Sequence, residues 1–272
     1  ATPLALLSAW IGWRFSFIAI GFFTLVLAVL VWMLVRNRPA DLGWETPAGQ
    51  VQTAQITISL KQGIVRVLTC GRFWPLAVWF FFTFGVFFSF GGLWGGAYLI
   101  QVYGLEKSHA AHILSMLAVG MIIGSPFLSY VSNNVVKGRK PVIVFSSFVL
   151  LGLSALLAFF TADIPLTGLY LLCFGLGVFG SAIVVIAFTT NKELFPVRMA
   201  GTATGIVNLF PFAGGAVFQP ILGAILEHHG RVDQAFTLSG YRQAFLVLFL
   251  CAAVAFVASF FLKETLNGET VD

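Results

Sequence analysis

The chain has 272 residues and a formal net charge of +5; hydrophobic residues make up 59% and charged residues 9%, with a mean hydropathy of +0.96. Soluble domains carry about 25% charged residues, so a soluble enzyme, a disordered chain and a disulfide-rich secreted domain are excluded. The apolar runs are continuous and do not alternate, which excludes an outer-membrane barrel and leaves a polytopic helical membrane protein.

The first stretch, Ala1 to Gly12, is apolar but shorter than the ~20 residues needed to cross the hydrocarbon core. It lacks an initiating Met and a basic leader. It therefore reads as the tail of a span whose beginning is missing, followed by a short turn at Trp10–Arg14. Seven charge-free runs follow. Arg14 to Arg36 encloses 21 residues, Arg72 to Glu106 encloses 33, and Lys107 to Lys137 encloses 29. Lys140 to Asp163 encloses 22, Asp163 to Lys192 28, Arg198 to Glu227 28, and Arg242 to Lys263 20. Each is long enough to span, and backbone groups in lipid must pair within the segment, so each is expected to be a helix.

Between Arg36 and Arg72 lies a long segment with Pro39, Gly43, Pro47 and Gly49, then Ile58–Leu68, which mixes apolar residues with Lys61 and Arg66. That last piece is expected to lie on the membrane surface as an amphipathic helix. The organisation that follows is 1–35 as the end of an N-terminal half, 36–72 as a central loop, 73–263 as a six-helix transport domain and 264–272 as a tail. The six spans read as three plus three. The second span of each trio holds close glycines and then a proline: Gly120, Gly124 and Pro126, and Gly214, Gly215 and Pro220.

Lys and Arg divide 11 to 4 between alternate sides of the spans. The basic side is expected to be cytoplasmic, with the C-terminus there, in an inner or plasma membrane. Orientation explains the positive charge, and no nucleic-acid partner is expected. The three cysteines, Cys70, Cys173 and Cys251, are far apart and read as small apolar residues. His109, His112, His228 and His229 lack an acid or Cys set at ligand spacing, so no metal is expected. No nucleophile elbow, zinc-protease or Walker sequence is present, and neither enzymatic activity nor a cofactor is expected.

At this point the residues resemble the major facilitator superfamily of secondary transporters, and most closely its sugar-phosphate and organic-anion permease branch. Gly12-Trp13-Arg14 with Phe17 resembles the outer turn between the family's fifth and sixth helices. Arg36-Asn37-Arg38-Pro39-Ala40-Asp41-Leu42-Gly43 resembles the exit from the sixth. Gly91-Gly92-Leu93-Trp94-Gly95-Gly96-Ala97-Tyr98-Leu99 resembles the seventh, and Glu193 to Gly205 the entry to the eleventh. The resemblance implies an all-α bundle: the end of helix 5 through helix 12 of a twelve-helix transporter. It implies alternating access, a lipid bilayer, a small-molecule substrate, a coupling ion such as H+ or Na+, and a missing N-terminal half. Its branch implies an organic anion or sugar phosphate as cargo. A drug or metabolite exporter of the same superfamily and a seven-helix receptor or sensor are the alternatives.

In the loop between helices 8 and 9 the family often has an acid and an Arg where this chain has Asn133 and Asn134, followed here by Lys137, Arg139 and Lys140. Asn133, Asn134, Arg139 and Lys140 are thus candidates for a cytoplasmic gate. The loss of the acid argues against a charge relay, and the basic trio reads chiefly as an orientation signal. Substrate-pathway candidates are Trp94, Tyr98, Asn208 and Gln219, because polar groups in hydrocarbon need a partner. For Trp94 an interfacial aromatic belt is an equal reading, and for the two amides inter-helix bonding is favoured. Gly91, Gly92, Gly95, Gly96, Gly120 and Gly124 are candidates for close helix packing or local unwinding.

Overall fold

The computed structural model describes residues 2–36 and 59–266. It forms two units, Ala1–Thr57 and Ile58–Asp272, and each is described by itself. Residues 37–58, with the Asn37–Gly43 part of the loop motif, and the tail from 267 onward lie outside the described residues.

In the first unit α1 runs Thr2–Leu34 and breaks at Gly12, whose φ of 78° and ψ of 157° are not helical. The turn expected at Trp10–Arg14 is thus one residue wide, not a loop. A positive φ costs glycine nothing, so Gly12 changes the direction of the chain without a linker. Past the break, the Ser16 hydroxyl donates to the Gly12 carbonyl (2.8 Å), and the Arg14 guanidinium lies 4.4 Å from the Trp13 ring centre.

The second unit begins with α2, Leu60–Thr69. Ser59 and Gln62 form a reciprocal capping box that satisfies two orphan backbone donors. Six spans follow: α3 (Phe73–Tyr103), α4 (Lys107–Val135), α5 (Lys140–Phe159), α6 (Leu166–Glu193), α7 (Val197–His228) and α8 (Leu238–Phe260). Gly104, with φ of 65°, ends α3 in the left-handed conformation. Pro141 sits in the first turn of α5, where its missing N–H costs nothing. A two-residue hairpin, β1 (Arg231–Val232) and β2 (Ala235–Phe236), joins α7 to α8. Its turn residues Asp233 and Gln234 both have positive φ, as the hairpin's twist requires.

The six spans pack as two trios related by a pseudo-two-fold. The first helix of each trio lies against the second helix of the other: α3 on α7, and α6 on α4, while the third helices, α5 and α8, pack on each other. The contacts correspond in detail. A Cβ on Gly214 would strike the Phe81 carbonyl and the Gly85 amide; one on Gly120 would strike the Phe174 carbonyl and the Val178 amide. Phe81 and Phe174, like Gly85 and Val178, are 93 positions apart, and Gly120 and Gly214 are 94 apart, as are Pro126 and Pro220. The two first helices also share an irregularity, a wide π-type turn at Phe90–Trp94 in α3 and at Leu176–Ala182 in α6.

The core forms two apolar clusters. One holds Phe90, Tyr98, Tyr241 and Phe245; the other, toward the basic side, holds Phe73, Trp79, Phe80 and Phe195. Water cannot satisfy polar atoms inside hydrocarbon, so a partner on another helix is worth most there. The Trp79 indole donates to Ser147 (2.8 Å).

Candidate functional site

The wide turn of α3 and the proline turn of α7 meet in a polar seam. Trp94 Nε1 donates to the Gln219 carbonyl (3.0 Å), and Gln219 Nε2 donates back to the Phe88 carbonyl (3.0 Å). A π-type turn shifts the backbone ladder by one residue, and here a side-chain amide from the facing helix bonds a carbonyl beside that shift. Gly92 makes room, since a Cβ there would lie 3.3 Å from Gln219 Nε2. Gly223 does the same for the Trp94 ring, which a Cβ would meet at 3.0 Å. Both Trp94 and Gln219 stay partly accessible. Gly91 and Gly95 face α4, where a Cβ would approach Leu117 and Leu114, whereas Gly96 has ordinary contact distance to Leu114. Gly120 and Gly124 face α6.

Tyr98 lies deeper. It is fully buried, its hydroxyl donates to the Thr161 carbonyl (2.6 Å), and its ring meets Phe245 edge-on at 4.8 Å. Asn208 is exposed at the turn between the two helical stretches of α7. It stands about three turns from Gln219. Four candidates thus occupy three places, and only Trp94 and Gln219 bond each other.

A second polar group closes the basic side. Arg139, 8% exposed, donates through Nη2 and Nε to the two carboxylate oxygens of Glu193 (3.0 and 3.4 Å). Its Nη1 donates to Asn133 Oδ1 (2.6 Å) and to Ser132 Oγ (3.2 Å). Thr265 Oγ1 donates to Glu193 Oε2 (2.5 Å). Glu264 accepts from the backbone amides of Arg139 (2.8 Å) and Lys140 (3.1 Å), so a carboxylate sits on the N-terminus of α5, where the helix dipole favours it. Asn134 is exposed and donates to the Tyr130 carbonyl (3.3 Å).

This group gives Arg139, one member of the basic trio, a structural role besides orientation. Arg139 is a buried, bidentately paired cation, and charge is present at the loop although Asn133 replaces the acid. Ser132, Glu193, Glu264 and Thr265 were missed. No local pattern in the sequence links them to Arg139. α6 continues to Glu193. Asn191 is fully buried there, with neither amide atom bonded.

With the fold and its polar groups in place, comparison with known proteins gives the class. The family model described as Major Facilitator Superfamily matches residues 3–218 and also 110–270, and the chain belongs to that family of membrane transporters. Among curated proteins it is similar to the hexuronate transporter of Bacillus subtilis (strain 168), 26% identical over 263 residues, covering 90% of this chain and 58% of the relative. The membrane sensor protein UhpC of Salmonella typhimurium is 25% identical over 79% of this chain and 51% of its own length. A probable hexose phosphate transport protein of Chlamydia trachomatis is 23% identical over 90% and 56%. The chain therefore spans about half the length of the curated relatives it matches. Among solved structures, an inward-facing, unoccupied bacterial homologue of the human lysosomal transporter Spinster superposes with a TM-score of 0.58 at 17% identity, over 92% of this chain and 60% of that one. That likeness is one of fold.

Proposed function

We propose that this chain contributes to a secondary transporter of organic anions such as hexuronates or hexose phosphates, working by alternating access, with 73–263 as its C-terminal transport domain. The observation that carries the reading is the pair of inverted trios whose first helices, α3 and α6, each carry a wide turn within the span, the one in α3 holding the accessible Trp94–Gln219 seam. Interrupted helices at the interface of repeats are where transporters place substrate. In this reading Trp94, Gln219 and Asn208 line the pathway, and Tyr98 holds its wall in place. The basic side is cytoplasmic, 36–72 links the two halves, and the Arg139–Glu193 group opens and recloses as a gate with each cycle. None of the described spans carries a Lys, Arg, His, Asp or Glu near its middle. Groups that bind anionic cargo or a coupling ion, H+ or Na+, then come from a companion N-terminal half.

The test is reconstitution into liposomes and counterflow of glucuronate, galacturonate and glucose 6-phosphate. The chain alone is expected to be inactive. Co-expressed with the N-terminal six helices of the hexuronate-transporter relative, it is expected to give saturable counterflow whose KM rises in Gln219→Leu. Saturable counterflow by the chain alone would overturn the two-half requirement, and its absence in both preparations would overturn transport. A sensing role is the second reading, favoured by the relative named as a membrane sensor; it is identified by saturable sugar-phosphate binding without counterflow.

A further inference from the structure

We infer that the groove between α2 and the start of α7 is a binding site for one anionic phospholipid of the leaflet on the basic side. It rests on membrane insertion alone and not on the transport reading. The groove has a volume of about 470 Å³ and is lined by Leu60 and Ile64 from α2 and by Gly201, Gly205, Ile206 and Leu209 from α7. It exists because the seam is built from small residues. Gly63 is buried against Thr202, where a Cβ would lie 3.4 Å from the methyl group, while Cβ positions on Gly201 and Gly205 meet nothing within 4 Å. α2 docks through Gly63 and Val67 and leaves an apolar trough beside the contact.

Two observations identify the occupant. The first is that α2 presents Val65 and Leu68 outward, 53% and 39% exposed, together with Lys61 and Arg66. A basic helix with outward apolar residues has the composition of one lying at the depth of lipid headgroups. The second is uncompensated charge. Lys61, Arg66, Arg72 and Arg198 are exposed, and none is in an ion pair among the described residues. Glu193 and Glu264, the acids described on this side, are taken up by Arg139, Thr265 and the α5 amides. Lys61 shares a face of α2 with Ile64, one turn on, and stands next to Leu60, both of which line the trough, and Arg198 lies one turn before Gly201 and Thr202. An acyl chain fits the floor, and a phosphate fits the rim.

The experiment uses the purified 272-residue chain in neutral detergent, titrated with phosphatidylglycerol or phosphatidylcholine of identical acyl chains, with retained lipid counted by native mass spectrometry. One phosphatidylglycerol is expected to be retained in preference to phosphatidylcholine. Lys61→Gln and Arg198→Gln should each weaken its retention about fivefold. Gly205→Leu, whose side chain enters open space, should lower retention of both lipids while far-UV circular dichroism and thermal unfolding stay unchanged. Equal retention of the two lipids by the unaltered chain would overturn the headgroup assignment. Unchanged retention in Gly205→Leu would overturn the groove. A change in oligomeric mass in Gly205→Leu without loss of lipid would assign the trough to a second copy and refute the proposal.

Discussion

Arg139 and Glu193 allow a quantitative test of whether the basic side is held by a charge pair. Their side chains are 9% and 29% exposed. Removing one partner of a buried pair costs about 3–5 kcal/mol, because the other charge is left without compensation. Water reaches Glu193, and Thr265 still donates to it in Arg139→Leu, so the expected loss there is about 2–3 kcal/mol. Glu193→Leu strands the less accessible guanidinium, with only Ser132 and Asn133 as acceptors, and should cost about 3 kcal/mol or more. The double variant leaves no stranded charge and should recover about 1.5–3 kcal/mol relative to the sum of the single changes. By the scaling of domains of about 150–250 residues, each single variant should lower Tm by roughly 5–10 °C. Thermal unfolding in a mild detergent, followed by tryptophan fluorescence, reads all four corners of the cycle. Additive single changes, with a coupling below about 0.5 kcal/mol, would refute the assignment of the pair as a structural unit.

Gly120→Leu and Gly214→Leu should destabilise the bundle to a similar degree, because each added side chain meets a backbone carbonyl at corresponding places in the repeat. Gly152→Ala, which meets nothing within 4 Å, should be neutral or stabilise by about 0.5–1 kcal/mol, and thermal unfolding compares the three. Gln219→Leu removes one inter-helix hydrogen bond and should cost about 0.6 kcal/mol, read from the same unfolding measurement. For orientation, a single cysteine in place of Asp233 should react with an impermeant maleimide in intact cells, and one in place of Lys61 only after lysis. The reverse pattern would invert the proposed topology.

The spans were readable because charge marks their limits. α4 starts at Lys107, α5 at Lys140, and α6 stops at Glu193, each at a residue whose transfer into hydrocarbon is costly. The pairing of trios was foreshadowed by the Gly–Pro spacing in α4 and α7, since small residues and prolines mark close approach and interruption. The Arg139–Glu193 pair was not readable, because nothing local connects residues 54 positions apart. Nor was the role of Glu264, which reaches the start of α5 from beyond the end of α8. The wide turn of α6 was also missed: Gly175, Gly177 and Gly180 lie in a run that looks uniformly apolar. The turn at Gly12 was expected to be broader, because a flanking Trp and Arg do not reveal that one glycine can redirect the helix.

The contacts on either side of the pseudo-two-fold match in position but not in size. Where the first trio offers Gly85, the second offers Val178; where the first offers Gly124, the second offers Phe218. A Cβ on Gly85 would lie 2.5 Å from the Phe218 ring, and one on Gly124 would lie 3.1 Å from a Val178 methyl. Bulk therefore meets emptiness in both places, with the roles exchanged. Two copies of the first trio would set glycine against glycine and leave a void, while two copies of the second would drive valine into phenylalanine. Each trio is thus a mate for the other and a misfit for itself, and a difference at two corresponding positions turns likeness into an exclusive pairing.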